Sequence, residues 1–348
     1  MRILLVAPSI NPVTYKGLGK YCKQILEGMQ RVGEVDLVQK ISEQDKVIST
    51  SSEIPLRLLY RRFSRDYDVV HALSPDLGIY SPFIFENSVV TFHDLIPILA
   101  FREMRFQFSQ LMPYYTQFTW RMAARARKVI ANSTQTRDEL VHLLDVKPEK
   151  IQVIPLGVDD RFRPAQKKNL NRPVIGFFGN YTFRKRVDIA VSAFKLISQE
   201  VDADLILAGG EIQTMYQKHF DMQNLTRDLK HVKLLGHVAE ENLPSLYNSF
   251  DVMLFPSLYE GFGLPIVEAQ RCGIPVLILR DARIPDEVKQ ETFVCEDAQD
   301  MAQKALELLK DDGKKAELVD RASVHAARFT WDRTIAATMK IYRELSEH

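Results

Sequence analysis

An α/β fold of two doubly wound domains is predicted by three features of the sequence. Short apolar runs alternate with helix-patterned segments. The alternation stops at a polar, proline-bearing stretch and then restarts. A chain of 348 residues with 46% hydrophobic content is also too long for one ordinary core and apolar enough to build two.

In the first half, "RILLVAP" is a short apolar run ending at a turn signal, and Gly19 to Met29 is helix-like in pattern and composition. Together they read as strand, loop and helix. "YDVVHAL", "SVVTFHD" and "KVIANS" repeat the strand signal and "IQVIPLGVD" closes the series, with helical segments between most of them. Strands that read as continuous apolar runs between helices imply a parallel sheet covered on both faces. "DDRFRPAQKKNLNRP" marks a linker, so the two domains are expected to join near residues 160 to 172. Beyond it, "VIGFFGN", "DLILAGG", "VKLLGHV", "DVMLFPS" and "PVLILR" are five more strand candidates.

Composition excludes several classes. Lys plus Arg number 46 against 45 Asp plus Glu, so bulk charge gives no reason to expect a nucleic-acid partner. Cys22, Cys272 and Cys295 are odd in number and far apart, which argues against a disulfide framework and a zinc site and reads as buried thiols in a reducing compartment. "MRILLVAPS" is too short an apolar run for a signal peptide, and no later stretch approaches a membrane span. A cytoplasmic protein is expected. Peripheral contact with the inner face of a membrane stays open, because "RLLYRRFSR" (57–65) holds four arginines and no acid, and 101–128 add six cations against the single acid Glu103.

Ligands of doubly wound sheets bind outside the carboxyl ends of the strands. "YEGFGLPIVEAQRCGIPV" follows the strand "DVMLF", which places Glu260, Gly261 and Gly263 at that edge. Pro265 suits the first turn of a helix, with Glu268 about one turn inside it. The positive end of that helix favours an anion. In "FFGNYTFRKRVDIAVSAF", Gly179 ends a strand and Arg184 and Lys185 lie in the following loop. Two adjacent cations there suit a diphosphate, and they equally describe a solvated basic loop.

The run "FPSLYEGFGLPIVEAQRCGIPVL" resembles the donor-site signature of retaining GT-B glycosyltransferases of family four, with seven residues between its two glutamates. "FGNYTFRK", "VIPLGVD", "TFHDLIP" and the terminal "FTWDRTIAATMKIYREL" resemble other landmarks of that family, so the resemblance spans nearly the whole chain. It implies two Rossmann-like domains facing a cleft: an acceptor-binding domain over 1–163, completed by a C-terminal helix over 332–348, and a nucleotide-sugar-binding domain over 164–331. It also implies that Glu260 meets the transferred sugar's hydroxyls and that Glu268 holds the ribose. A carboxylate can accept hydrogen bonds from both hydroxyls of a vicinal pair.

By the same resemblance Arg184 and Lys185 neutralise the diphosphate, and Gly179, Gly261, Phe262, Gly263 and Leu264 line the donor. His93 corresponds to a residue against the donor sugar, and Gly17 and Gly19 in "YKGLGKY" to a glycine loop on the acceptor side of the phosphates. Many relatives carry Arg directly after the glycine of the phosphate loop; Asn180 stands here, which leaves the cationic work to Arg184 and Lys185. The implied activity moves a sugar from GDP-mannose or a UDP-sugar to a glycan or lipid-linked acceptor with retention of configuration. No metal and no cofactor are expected, on the reading that the sequence offers neither an Asp-x-Asp triplet nor a clustered set of His and carboxylates. A two-lobed sugar-binding protein without turnover is the alternative. A nicotinamide enzyme is disfavoured because no G-x-G-x-x-G opens either domain.

Overall fold

The computed structural model describes residues 1–8, 12–39, 67–79, 86–103, 112–166, 171–210 and 220–347. The chain divides into two compact units, Met1–Gly157 with Thr330–His348, and Val158–Phe329.

The first unit is built on a six-stranded sheet in the order β2-β1-β3-β4-β5-β6. Its strands are β1 (Arg2–Ala7), β2 (Glu34–Gln39), β3 (Val69–Ala72), β4 (Ser88–Phe92), β5 (Lys128–Ala131) and β6 (Ile151–Val153). All neighbours run parallel. Residues 3–7 of β1 and all of β3 and β4 are buried, as the continuous apolar runs require. β2, "EVDLVQ", carries no such run, being an edge strand with exposed acids that sequence patterning does not register.

The helix after β1 spans Pro12–Gln30, so it begins well ahead of Gly19. Gly17 and Gly19 therefore lie inside a helix and not in a glycine loop. Pro12 supplies a fixed φ and gives up an amide that the first turn leaves unpaired anyway. The buried side chains of Tyr21, Cys22, Ile25 and Met29 offset the roughly 1 kcal/mol that a helical glycine costs. Gly17 is exposed, and a Cβ there would meet nothing within 4 Å, so packing does not demand a glycine.

The C-terminal helix, Trp331–Ser346, is capped by Thr330 Oγ1 and returns to the first unit, where Thr334 Oγ1 donates to Pro155 O at 2.8 Å. The crossing comes earlier than the expected 163/164. Val158 N–H donates to Phe329 O at 3.1 Å, Arg161 pairs with Glu240 at 2.5 Å, and the Phe162 ring packs on Tyr247 at 5.9 Å. Residues 158–162 are thereby tied to the second unit.

That unit holds β7 (Val174–Phe178), β8 (Asp204–Ala208), β9 (Val232–Gly236), β10 (Val252–Phe255), β11 (Val276–Leu279) and β12 (Phe293–Cys295), all parallel in the order β12-β11-β10-β7-β8-β9. β12 has only three residues, too few to show a period. Helices Val187–Glu200 and Ala298–Lys310 cover the sheet with Val187, Ala190, Phe194, Ile197, Met301 and Leu308, all buried. Chain order reverses between β7 and β10, and such a reversal opens a crevice at the carboxyl ends of the two strands.

Candidate functional site

The segments leaving β7 and β10 supply one charged cluster. After β7, a 3₁₀ turn over Phe183–Lys185 leads into the helix Val187–Glu200. Lys185 Nζ donates to Glu260 Oε1 at 2.5 Å, Arg184 Nη1 donates to the same oxygen at 3.3 Å and to Tyr259 O at 2.6 Å, and Ser257 Oγ also donates to Oε1. The Lys185 ammonium lies 5.0 Å over the Phe255 ring. Lys185 and Glu260 are each 8% exposed, which makes this a buried charge cluster whose two cations outnumber its one acid.

Burial alone would push the Glu260 carboxyl up. The Lys185 ammonium, the Arg184 guanidinium and the hydrogen bonds from Lys185 and Ser257 outweigh it and hold the group below the usual carboxylate range. Arg184 Nε is buried with no hydrogen-bond partner among the described residues. A buried guanidinium donor without an acceptor is costly, and an anionic ligand oxygen would satisfy it. Gly179 serves this cluster by close approach: a Cβ there would stand 3.3 Å from Lys185 Cδ, crowding the stem that carries the ammonium.

Gly263, at φ +100°, heads the helix Leu264–Arg271. That conformation suits only glycine, and it turns the chain so that the amides of Gly263 and Leu264 start the helix. Pro265 has no N–H to offer, and Ile266 N–H is spent on Gly263 O at 2.9 Å. Glu268 is buried on this helix and accepts from Tyr247 O–H at 3.0 Å. Burial first, and the Glu268 charge second, push the Tyr247 phenol well up, so it stays a donor. The Phe262 ring is buried edge-on against Phe329 at 5.6 Å, so this residue anchors the loop and has only its backbone to give a ligand.

His93 belongs to the first unit, just past β4. It is half-buried; Nε2–H donates to Leu73 O at 3.0 Å, and its ring meets Tyr21 edge-on at 4.6 Å. Burial pushes its pKa down to about 4 against the pull of the Leu73 carbonyl, which leaves a neutral imidazole with Nδ1 as acceptor. Nearby His71 is fully buried, bonded to Tyr342 O–H and, at 2.7 Å, to Thr91 Oγ1, and burial together with His93 pushes it down to about 3.

Both histidines stay neutral in the fold and charge on unfolding. Their contribution is therefore undiminished above the ordinary imidazole value of 6.5 and is lost as pH falls from there towards about 4 and about 3. Urea unfolding at pH 7 and pH 5 should show a loss of about 2 kcal/mol from His71 alone. Equal stability at the two pH values would contradict the buried neutral assignment.

The structure thus brings Gly179, Arg184, Lys185 and Glu260 together, with Gly263, Leu264 and Glu268 on the adjoining helix start. Ser257 and Tyr247 are partners that sequence reading missed. Ser257 stands inside the signature run and could have been found there; Tyr247 lies twenty-one positions before Glu268 on another helix and gives no signal. The sequence does hold two Asp-x-Asp triplets, 66–68 and 202–204. Asp66 lies outside the described residues. Asp68, Asp202 and Asp204 stand at the amino ends of β3 and β8, the edge away from the strands' carboxyl ends, where Asp202 and Asp204 pair with Arg172. Among the described residues no group of three or more His, Cys, Asp or Glu could hold a metal ion.

Comparison with known proteins bears on the family and the fold. Residues 158–325 match the family "Glycosyl transferases group 1" and residues 16–162 match "Glycosyltransferase Family 4". The O-antigen chain mannosyltransferase B of Escherichia coli is 24% identical over 99% of this chain and 100% of that protein. The D-inositol 3-phosphate glycosyltransferase of Salinispora tropica is 28% identical over 65% of this chain, and the match spans about half of that enzyme, 53%. Among solved structures, the sucrose-phosphate synthase of Thermosynechococcus elongatus superposes with a TM-score of 0.78 at 20% identity, covering 99% of both chains.

Proposed function

Since the chain belongs to the group 1 and family 4 glycosyltransferases and has their GT-B fold, we propose that it transfers a hexose from GDP-mannose or a UDP-sugar to a glycan or lipid-linked acceptor, with retention of configuration and without a metal. The second unit holds the nucleotide-sugar and the first supplies the acceptor. The observation that carries this reading is the buried Arg184–Lys185–Glu260 cluster at the β7/β10 reversal. A leaving nucleoside diphosphate gains negative charge as the sugar departs, and cations already fixed in a buried site stabilise that charge without reorganising. Glu260 keeps both cations in place and offers its carboxylate to sugar hydroxyls. Glu268, fixed by Tyr247, suits the vicinal hydroxyls of a ribose. His93 serves the sugar as a neutral hydrogen-bonding group.

Incubation with radiolabelled GDP- and UDP-sugars and a mixed acceptor extract tests this reading. Transfer of label supports it, and saturable binding without transfer supports a sugar-binding protein. A thermal-shift panel narrows the donor, because a ligand at a hundredfold its Kd adds about 2.7 kcal/mol of stability. Since the cationic work is assigned to Arg184 and Lys185, activity should survive excess EDTA; a chelator-sensitive rate restored by magnesium or manganese would overturn that assignment.

A lipid-linked acceptor would bring the first unit to anionic lipid. The helix Met112–Ala123 exposes Tyr114, Tyr115 and Phe118, with exposed Arg121 and Arg125 continuing the stripe; the arginine-rich 57–65 lies outside the described residues. No described helix is long and apolar enough to cross a membrane. With roughly 1 kcal/mol for each basic residue near the surface, the protein should pellet with anionic vesicles at low salt and release at high salt. Failure to pellet at any salt concentration would remove the membrane from the account.

A further inference from the structure

Arg186 carries backbone strain that the donor chemistry above does not use. Its φ of 49° and ψ of 45° lie in the left-handed region, which disfavours any residue with a Cβ. The position ends the turn bearing Arg184 and Lys185 and begins the helix Val187–Glu200. Its N–H donates to Thr182 O at 3.1 Å and Phe183 O at 3.2 Å, and its carbonyl accepts from Ile189 N–H at 3.0 Å. Glycine would meet these backbone demands without strain. Arginine adds a fork: Nη1 and Nη2 each donate to one Asp281 carboxylate oxygen at 2.7 Å.

The residues beside Asp281 knit the glutamate loop. Arg283 N–H donates to Leu258 O at 2.8 Å and Glu260 N–H donates to Arg283 O at 2.9 Å, while Leu258 N–H donates to Arg184 O at 2.8 Å. One short segment, 281–283, therefore grips the cation turn by a side chain and the glutamate loop by its backbone. The Asp281 side chain is 61% exposed and that of Arg186 19%, so solvent reaches the pair from its acid side and limits what it adds to stability; its two parallel bonds fix orientation. Strained residues persist where their surroundings over-determine them, and they gather at functional sites.

We propose that Arg186 and Asp281 are a positioning pair that holds Arg184 and Lys185 in register with Glu260, and so sets both donor-diphosphate affinity and transfer; this rests on the reading that Arg184 and Lys185 bind the diphosphate. The test uses the full chain with Arg186→Gly, Asp281→Asn and the double variant. It follows thermal melting, turnover, and calorimetric affinity for the tightest-binding of UDP, GDP, ADP and dTDP.

Arg186→Gly relieves the strain and should melt no lower than wild type, yet bind the diphosphate about tenfold more weakly, since a small misplacement of such groups costs up to about a hundredfold. Asp281→Asn should weaken binding similarly, and the double variant should be no worse than either single one, as for two halves of one device. Wild-type binding and turnover in both single variants, or additive losses in the double, would overturn the proposal while Lys185→Ala still binds weakly. Should Arg184→Ala and Lys185→Ala themselves bind the diphosphate like wild type, the underlying reading fails and the pair loses its role.

Discussion

Lys185→Ala is expected to lower kcat by about a hundredfold or more, on the scale of roughly 3 kcal/mol for one preorganised electrostatic group, and to weaken binding of the released nucleoside diphosphate. The ammonium's value grows as the leaving group gains charge, so the loss should fall on kcat as well as on affinity. A second effect comes from the pairing with Glu260. Both side chains are about nine-tenths buried, and removing one partner of a buried ion pair costs about 3–5 kcal/mol. Lys185→Ala should therefore also melt early. Arg184→Ala should match it in turnover with a smaller stability loss, because its contact to Glu260 is 3.3 Å and its shorter bond goes to the Tyr259 carbonyl. A Lys185→Ala enzyme turning over within about threefold of wild type would remove this residue from transition-state stabilisation.

The two glutamates should separate in their kinetics. Glu268→Ala removes contacts that are alike in ground and transition states, so it should raise the donor KM with little change in kcat. It also strips the Tyr247 hydroxyl of its acceptor, at about 1–3 kcal/mol of stability; Tyr247→Phe in the same chain should recover part of that loss. Glu260→Gln keeps the shape and removes the charge, leaving two cations with no acid between them. It should cut kcat while diphosphate affinity holds or rises. Acid should mimic it: with the Glu260 pKa held below the ordinary carboxylate range, its pairing is fully present above that range and is lost as pH falls through the folded value. If Glu260→Gln loses diphosphate binding while Glu268→Ala keeps it, the two residues have been assigned the wrong way round.

The strands that continuous apolar runs can announce were legible in the sequence, and those that they cannot were not. β1, β3 and β4 are buried on both faces and read as such, whereas β2 and β12 are edge strands, one with exposed acids and one of three residues. The glycine pair at 17 and 19 was expected in a loop because the family resemblance implies one there; both fall inside the helix Pro12–Gln30, where the tertiary packing of Tyr21, Cys22 and Ile25 outweighs the helix-weakening propensity of glycine.

The grouping of Glu260, Gly263 and Glu268 in the candidate site was legible because one segment holds them. The electrostatics of the site were not. That Arg184 and Lys185 share one oxygen of Glu260 depends on β7 lying beside β10, some seventy-five positions apart in the chain. The Tyr247–Glu268 and Arg186–Asp281 bonds likewise join segments that no spacing rule connects.

The central claim is that Arg184 and Lys185 recognise a diphosphate. Calorimetric titration of a nucleoside diphosphate and the matching monophosphate into wild type and Lys185→Ala addresses it most directly. The account predicts that wild type prefers the diphosphate and that Lys185→Ala loses most of that preference while still binding the nucleoside through Glu268. An unchanged preference in a folded Lys185→Ala protein would contradict it.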